Sequence, residues 1–181
     1  MGDETHIEDR QRMYRKRFTG MNCSVARALD EIGEWWTLLI VRECTQGTTR
    51  FDEFQKQLGI ARNVLADRLQ RLTELGIVER FPLEDRANTD GYRLTRKGEE
   101  LYPVLVALYQ WGDRWLAPDG KSPTVLVEDR TGEPIGRLMV RGSNGQVLSP
   151  KDIRFERGPG ATATTDATIE RRNRQVLGRT G

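Results

Sequence analysis

The stretch "LGIARNVLADRLQRLTELG", residues 58–76, decides the fold. At about 100° per residue, Leu65, Leu69 and Leu72 fall on one side of a helix, with Arg62 within about 60° of them. Asn63, Asp67, Gln70 and Glu74 point away, flanked by Ala66 and Arg71. Gly59 precedes the helix in a tight turn and Gly76 ends it. The apolar side needs a small core to pack on, and the polar side is dense in hydrogen-bonding groups. What the polar side is for depends on the neighbouring segments.

Three shorter helical patterns lie upstream. In the first, Val25, Ala28, Leu29 and Ile32 share a face, with Ser24 as its cap and Gly33 as its stop. The second, "EWWTLLIVRECTQG" (34–47), is apolar nearly all round and so expected to be buried. The third, "RFDEFQKQLG" (50–59), places Phe51, Phe54 and Leu58 together. Downstream the period changes from 3.6 to 2. "IVERF" (77–81) and "GYRLT" (91–95) bracket the polar loop "PLEDRANTDG" and predict a hairpin with a charged tip. Thr95 is then expected to cap a long fifth helix whose stripe is Leu101, Leu105, Leu108 and Trp115, widened by Val104 and Trp111. Pro103 should bend or weaken its first turns.

This sequence predicts a mainly α protein with a small β component: a winged helix-turn-helix domain at 20–117, followed by a short C-terminal β-hairpin extension at 118–160 with turns at Thr131-Gly132 and Asn144-Gly145. Residues 1–19 read as an N-terminal arm or helix. Residues 161–181, poor in large apolar side chains, read as a disordered tail.

Composition narrows the function. The 181 residues carry a formal charge of only +2, too close to neutral to identify a partner by field alone. The charged start lacks the apolar run of a secretory signal, and "WWTLLIV" is far too short to span a membrane, so a cytoplasmic protein with no membrane partner is expected. Two cysteines make neither a disulfide framework nor a four-ligand zinc site. With a single histidine, no phosphate-cradling glycine loop and no nucleophile elbow, the chain reads as no enzyme, with no cofactor and no metal.

The polar face of residues 60–75 fits a DNA major groove. Asn and Gln pair bidentately with adenine, Arg with guanine, and an acid can accept from cytosine. Arg50, Arg62, Asn63, Ala66, Asp67, Arg68, Gln70 and Arg71 are therefore candidate DNA-binding residues. On the hairpin, Arg80, Arg86 and Arg93 would lie against phosphates or the minor groove. Spacing alone equally fits an amphipathic helix with a solvated polar face, a reading that Asp67 and Glu74 favour because carboxylates repel phosphate. A winged-helix protein–protein module without specific DNA binding is the alternative function.

"NCSVARALDEIGEWWTLLIVREC", "RFDEFQKQLGIARNVLADRLQRLTELGIVER" and "YRLTRKG" together resemble the HxlR-type regulators, bacterial winged-helix proteins of MarR-like architecture. The resemblance covers about residues 20–117, and its order and spacing are more specific than any one piece. It implies a sequence-specific transcriptional regulator, a homodimer built from the N-terminal segment and the fifth helix, on a palindromic operator of double-stranded DNA. Half-sites would lie about 10 bp apart. Leu101, Leu105, Leu108, Trp111 and Trp115 are then the candidate dimer interface, with packing of either tryptophan on its own subunit's second helix as the other possibility. The chain departs from the family pattern in two places. Trp35 stands where many members have Lys or Arg, removing an expected phosphate contact. The turn "RGSNGQ" has Arg141 and Asn144 where some relatives have zinc-binding thiols. Some members sense electrophiles through a cysteine at the position of Cys23. Here a helix N-terminus and Arg27 would favour its thiolate, making Cys23 a possible redox site or else a small residue packed at the dimer junction. Cys44 reads as inert packing. The sequence names no small-molecule effector.

Overall fold

The protein's structure, a computed structural model, describes residue 18, residues 21–84 and residues 89–177. Seven α-helices occur among them: α1 Ser24–Ile32, α2 Trp35–Thr45, α3 Phe51–Leu58, α4 Arg62–Glu74, α5 Arg96–Glu99, α6 Tyr102–Trp115 and α7 Ala163–Leu177. β1 Val78–Pro82 and β2 Asp90–Leu94 pair antiparallel, Arg80 opposite Tyr92, and form the wing. The mainly α winged helix-turn-helix class is thus the observed one. The arm read at 1–19 lies outside the described residues, apart from Phe18, whose backbone N–H donates to the Asp30 carboxylate (2.9 Å).

One core holds these elements. Ile40 and Val41 of α2, Phe54 of α3, Leu65, Leu69 and Leu72 of α4, Ile77 and Val78 at the wing's root and Leu105 of α6 are all buried. Phe54 meets Tyr92 edge to face, with centroids 6.5 Å apart. The Tyr92 N–H donates to Thr49 O (2.8 Å) and fastens the wing to the loop before α3.

Four local readings are corrected by the structure. Ser24 is the first residue of α1, and Cys23 occupies the cap position. The long fifth helix is split: Thr95 caps only the short α5, its hydroxyl accepting from the Gly98 N–H, and α6 restarts at Tyr102 with Pro103 in its first turn. A proline lacks the N–H that would continue the ladder and its ring crowds the carbonyl four residues back, so a break before it is the low-energy solution. The strands expected over 118–160 reduce to two tight hairpins, each with one β-bridge, Val127 with Pro134 and Arg141 with Val147. Their turns are where the sequence put them, with Gly132 and Gly145 at φ +70° and +79°.

The fourth correction is the tail, where residues read as disordered include helix α7. Polar contacts that composition does not reveal hold it. The Asn173 side chain clamps the Phe155 backbone at both N–H and C=O (2.9 and 2.8 Å), Arg157 pairs with Asp166, and Asn22 donates to Thr165 Oγ1 (3.0 Å).

Candidate nucleic-acid interface

The helix-turn-helix is α3, the turn Gly59-Ile60-Ala61, and α4. Gly59 closes α3 in the left-handed conformation (φ +62°), its N–H donating to Gln55 O (3.0 Å). Buried Ile60 then pins the turn to the core. With Leu65, Leu69 and Leu72 completely buried, the rotation of α4 about its axis is fixed; Asn63, Ala66, Asp67, Gln70 and Arg71 are exposed away from the core, and Arg62 is exposed at the helix's first residue. The first five of these candidates are brought together on one surface.

Their electrostatics answer the objection raised by the two acids. The Asp67 carboxylate lies 2.8 Å from the Arg68 guanidinium, and Glu74 accepts from Gln70 Nε2 (3.1 Å) and sits 3.5 Å from Arg71. Each negative charge thus has a cation beside it. Arg62 stacks over the Phe51 ring at 4.9 Å, joining the first residue of α4 to the first of α3.

Arg68 is placed differently from its neighbours. Its guanidinium is only 25% exposed and reaches back to Glu34 (3.5 Å) before α2, while its Nε is shut off from solvent without a hydrogen-bond partner. It links α4 to the α2 N-terminus more than it faces outward. Arg50 is also half-buried, its Nε 3.7 Å from Glu53, beside α4 at the start of α3. On the wing, exposed Arg80 stacks on Tyr92 (5.6 Å), and Arg93 stacks on Phe81 (5.1 Å) while donating to Glu79 across the strands (2.7 Å). Arg93 thereby lies on one face of the hairpin with Glu79 and Phe81, and Arg80 on the other face, which it shares with buried Tyr92. Arg86, the third wing candidate, lies outside the described residues.

One support of this face escaped the sequence reading. The Lys97 ammonium donates to Leu75 O at the C-terminus of α4 and to Glu31 of α1 (both 3.0 Å), favourable for a cation at a helix end. Its only sequence signal, a Lys two residues after a cap, is too common to be read. Trp35, placed by the sequence in an all-round buried helix, is 88% exposed at the start of α2.

On α6, Leu108, Trp111 and Trp115 stand 48%, 56% and 63% exposed. Leu105, expected at the dimer interface, belongs instead to the chain's own core, and Leu101 is half-buried against it. A cleft of about 260 Å³ runs between α2 and α6, lined by Leu38, Leu39, Arg42, Leu105, Leu108 and Tyr109.

Cys23 precedes α1. The backbone N–H groups of Ala26 and Val25 hold its thiol below the ordinary value, and the Arg172 guanidinium of α7 adds to this. Arg27, the cation the sequence placed there, turns instead to Asn22 and Ser24 (3.2 and 3.1 Å). In contrast, burial and the adjacent Glu43 charge push the Cys44 thiol up to about 12. Among the described residues no helix is long and apolar enough to cross a membrane.

The profile of the HxlR-like helix-turn-helix family matches residues 31–120. An uncharacterised HTH-type transcriptional regulator of Mycobacterium tuberculosis (strain CDC 1551 / Oshkosh), MT3179, is 38% identical over 147 residues, covering 81% of this chain and 92% of that protein. The crystal structure of PA1607, described as a candidate transcription factor, superposes with a TM-score of 0.72 at 46% identity, over 76% of this chain and 96% of that one. A second such structure, PA1374 of Pseudomonas aeruginosa, gives a TM-score of 0.57 at 38% identity, over 81% of this chain and all of that one.

Proposed function

The chain belongs to the HxlR-like helix-turn-helix family of transcriptional regulators, and from that premise we propose that it works as a cytoplasmic homodimer binding a palindromic operator in double-stranded DNA. The observation that carries this reading is α4: one face is locked into the core, the rest presents Asn63, Ala66, Asp67, Gln70 and Arg71, and Arg62 is exposed at its first turn. In the major groove Asn63, Gln70 and Arg71 read base edges, and Asp67 accepts from cytosine once Arg68 offsets its charge against phosphate. Arg50, Arg80, Arg86 and Arg93 contact the backbone and set the register.

Two copies pack through α1 and α6, with Trp111 and Trp115 as anchors, and place two α4 helices about one DNA turn apart. Cys23 is the point at which an oxidant or electrophile would act on this assembly, since its thiolate is favoured and it adjoins α1. Neither catalysis nor a bound cofactor enters the reading.

The test is fluorescence anisotropy of the protein on a duplex from upstream of its own gene and on a scrambled duplex, at about 50 and 200 mM salt. The native duplex should bind orders of magnitude tighter with two subunits per site. Asn63→Ala and Gln70→Ala should relax sequence preference at roughly 1–3 kcal/mol each, while Arg80→Ala should lower the salt slope by about 1 on any sequence. Weak, equal binding of both duplexes, unchanged by these substitutions, would refute the proposal.

A further inference from the structure

Between residues 118 and 175 not one residue is buried. The segment is nevertheless folded. One hairpin is closed by Glu128 N–H to Glu133 O and Ile135 N–H to Leu126 O, the other by Gly142 N–H to Gln146 O and Leu148 N–H to Val140 O, all 2.9 Å. It also carries a full set of core-type side chains: Val125, Val127, Leu138, Met139, Val140 and Val147 are all exposed. Two-stranded hairpins are marginal in water unless an apolar face packs on something, and a contiguous exposed apolar surface marks an interaction site.

The hairpins are fastened to α6. The Gln110 side chain donates to Gly136 O (3.0 Å) and accepts from the Leu138 N–H (2.7 Å), next in sequence to Trp111. The exposed face of α6 and the apolar hairpins thus form neighbouring parts of one surface. The two tryptophans of α6, each about 200 Å² and a little over half exposed, supply on the order of 250 Å² of the about 800 Å² per partner that a stable interface needs, which leaves the remainder to the other exposed apolar side chains of α6, α1 and the hairpins.

We propose that residues 118–160 are a dimerisation arm, whose apolar hairpin surface is covered by a second copy of this chain. This deepens the homodimer reading above and rests on it. The charges favour a copy over nucleic acid: residues 118–175 hold ten Lys and Arg against eight Asp and Glu, interspersed, with no basic stripe for phosphate. Many are already spent within the segment, as in Arg130 with Glu128, Arg154 with Glu156 and Arg157 with Asp166. Such a surface meets its own duplicate without repulsion, and its apolar part requires a permanent cover.

Analytical ultracentrifugation of the full chain, as wild type, Val140→Glu and Trp111→Glu, tests the arm, with circular dichroism checking that each is folded. The arm requires a wild-type dimer whose dissociation constant rises at least tenfold in Val140→Glu. Trypsin cleavage after Arg137 and Arg141 should also accelerate as wild-type protein is diluted below its dissociation constant. If Trp111→Glu dissociates the dimer while Val140→Glu does not, the homodimer reading stands and the arm is overturned. A wild-type monomer at every concentration overturns both and leaves the hairpins to a different partner. Should Val140→Glu fail to fold, the trypsin result on wild type decides, and cleavage independent of concentration overturns the arm.

Discussion

Gly98→Ala is expected to destabilise the winged-helix core although it replaces glycine by the best helix former. A Cβ at Gly98 would stand 2.2 Å from the Ile77 carbonyl oxygen and 2.9 Å from Leu94 Cδ2. That oxygen cannot easily yield, because it accepts the Thr95 N–H (3.0 Å) and the Thr95 hydroxyl lies 3.3 Å from it. To reach ordinary contact the carbonyl must retreat by about 1 Å, which breaks the Thr95 bond, worth about 1 kcal/mol, and adds overpacking of roughly 1–3 kcal/mol. Higher helix propensity returns about 1 kcal/mol. The net is a loss of about 2 kcal/mol, or a fall in Tm of roughly 8–16 °C for a core of some 100 residues. Thermal unfolding followed by circular dichroism measures it. An unchanged or higher Tm would mean that α5 does not approach the root of the wing as closely as argued, and the reasoning would fail.

Three further outcomes follow from the same geometry. Leu69→Ala, at a completely buried position of α4, should cost about 2–5 kcal/mol in denaturant unfolding and weaken duplex binding in parallel; a cost under 1 kcal/mol would contradict the core described. Timed iodoacetamide labelling near pH 7.5 should modify Cys23 well before Cys44, and Arg172→Ala should slow Cys23 only in part, because the Ala26 and Val25 N–H groups contribute more than the guanidinium; equal rates at the two thiols would contradict this. For Cys44 the sign runs toward alkaline loss: the unfolded thiol ionises near 9.0 while the folded one holds its proton to about 12. Stability should therefore fall as pH climbs between those values, and less so in Cys44→Ala; identical alkaline melting curves for both proteins would exclude it.

How much could be read in advance is clearest at α4. The spacing of Leu65, Leu69 and Leu72, bounded by Gly59 and Gly76, set both the buried face and the exposed one, because a helix has one period and an apolar stripe has one place to go. The hairpin followed for the same reason, as alternation, Pro and Gly-containing turns are local signals. Cys23 at a helix start and the hairpin turns at Gly132 and Gly145 were legible on similar grounds.

What depended on contacts distant in sequence was not legible. Leu105 and Trp111 read as one apolar stripe, yet they stand about 120° apart on α6; Leu105, with Val106, enters the core and Trp111 does not. Arg68 reaches Glu34 as well as its neighbour Asp67, and the cation beside Cys23 is Arg172 rather than Arg27; the Arg68–Glu34 and Arg172–Cys23 pairings join residues that no local pattern relates. The tail was misread because α7 is held by Asn173, Asp166 and Thr165 through polar contacts, and composition reports only the apolar burial a segment can achieve. The sequence by itself determined the helix-turn-helix, the wing and the two faces of α4, since these follow from periodicity and local backbone chemistry, and the order of its motifs carried the resemblance to the family. Only the tertiary structure decided which charges are free to meet DNA and which apolar side chains are left for a second chain, because both depend on what packing has already used.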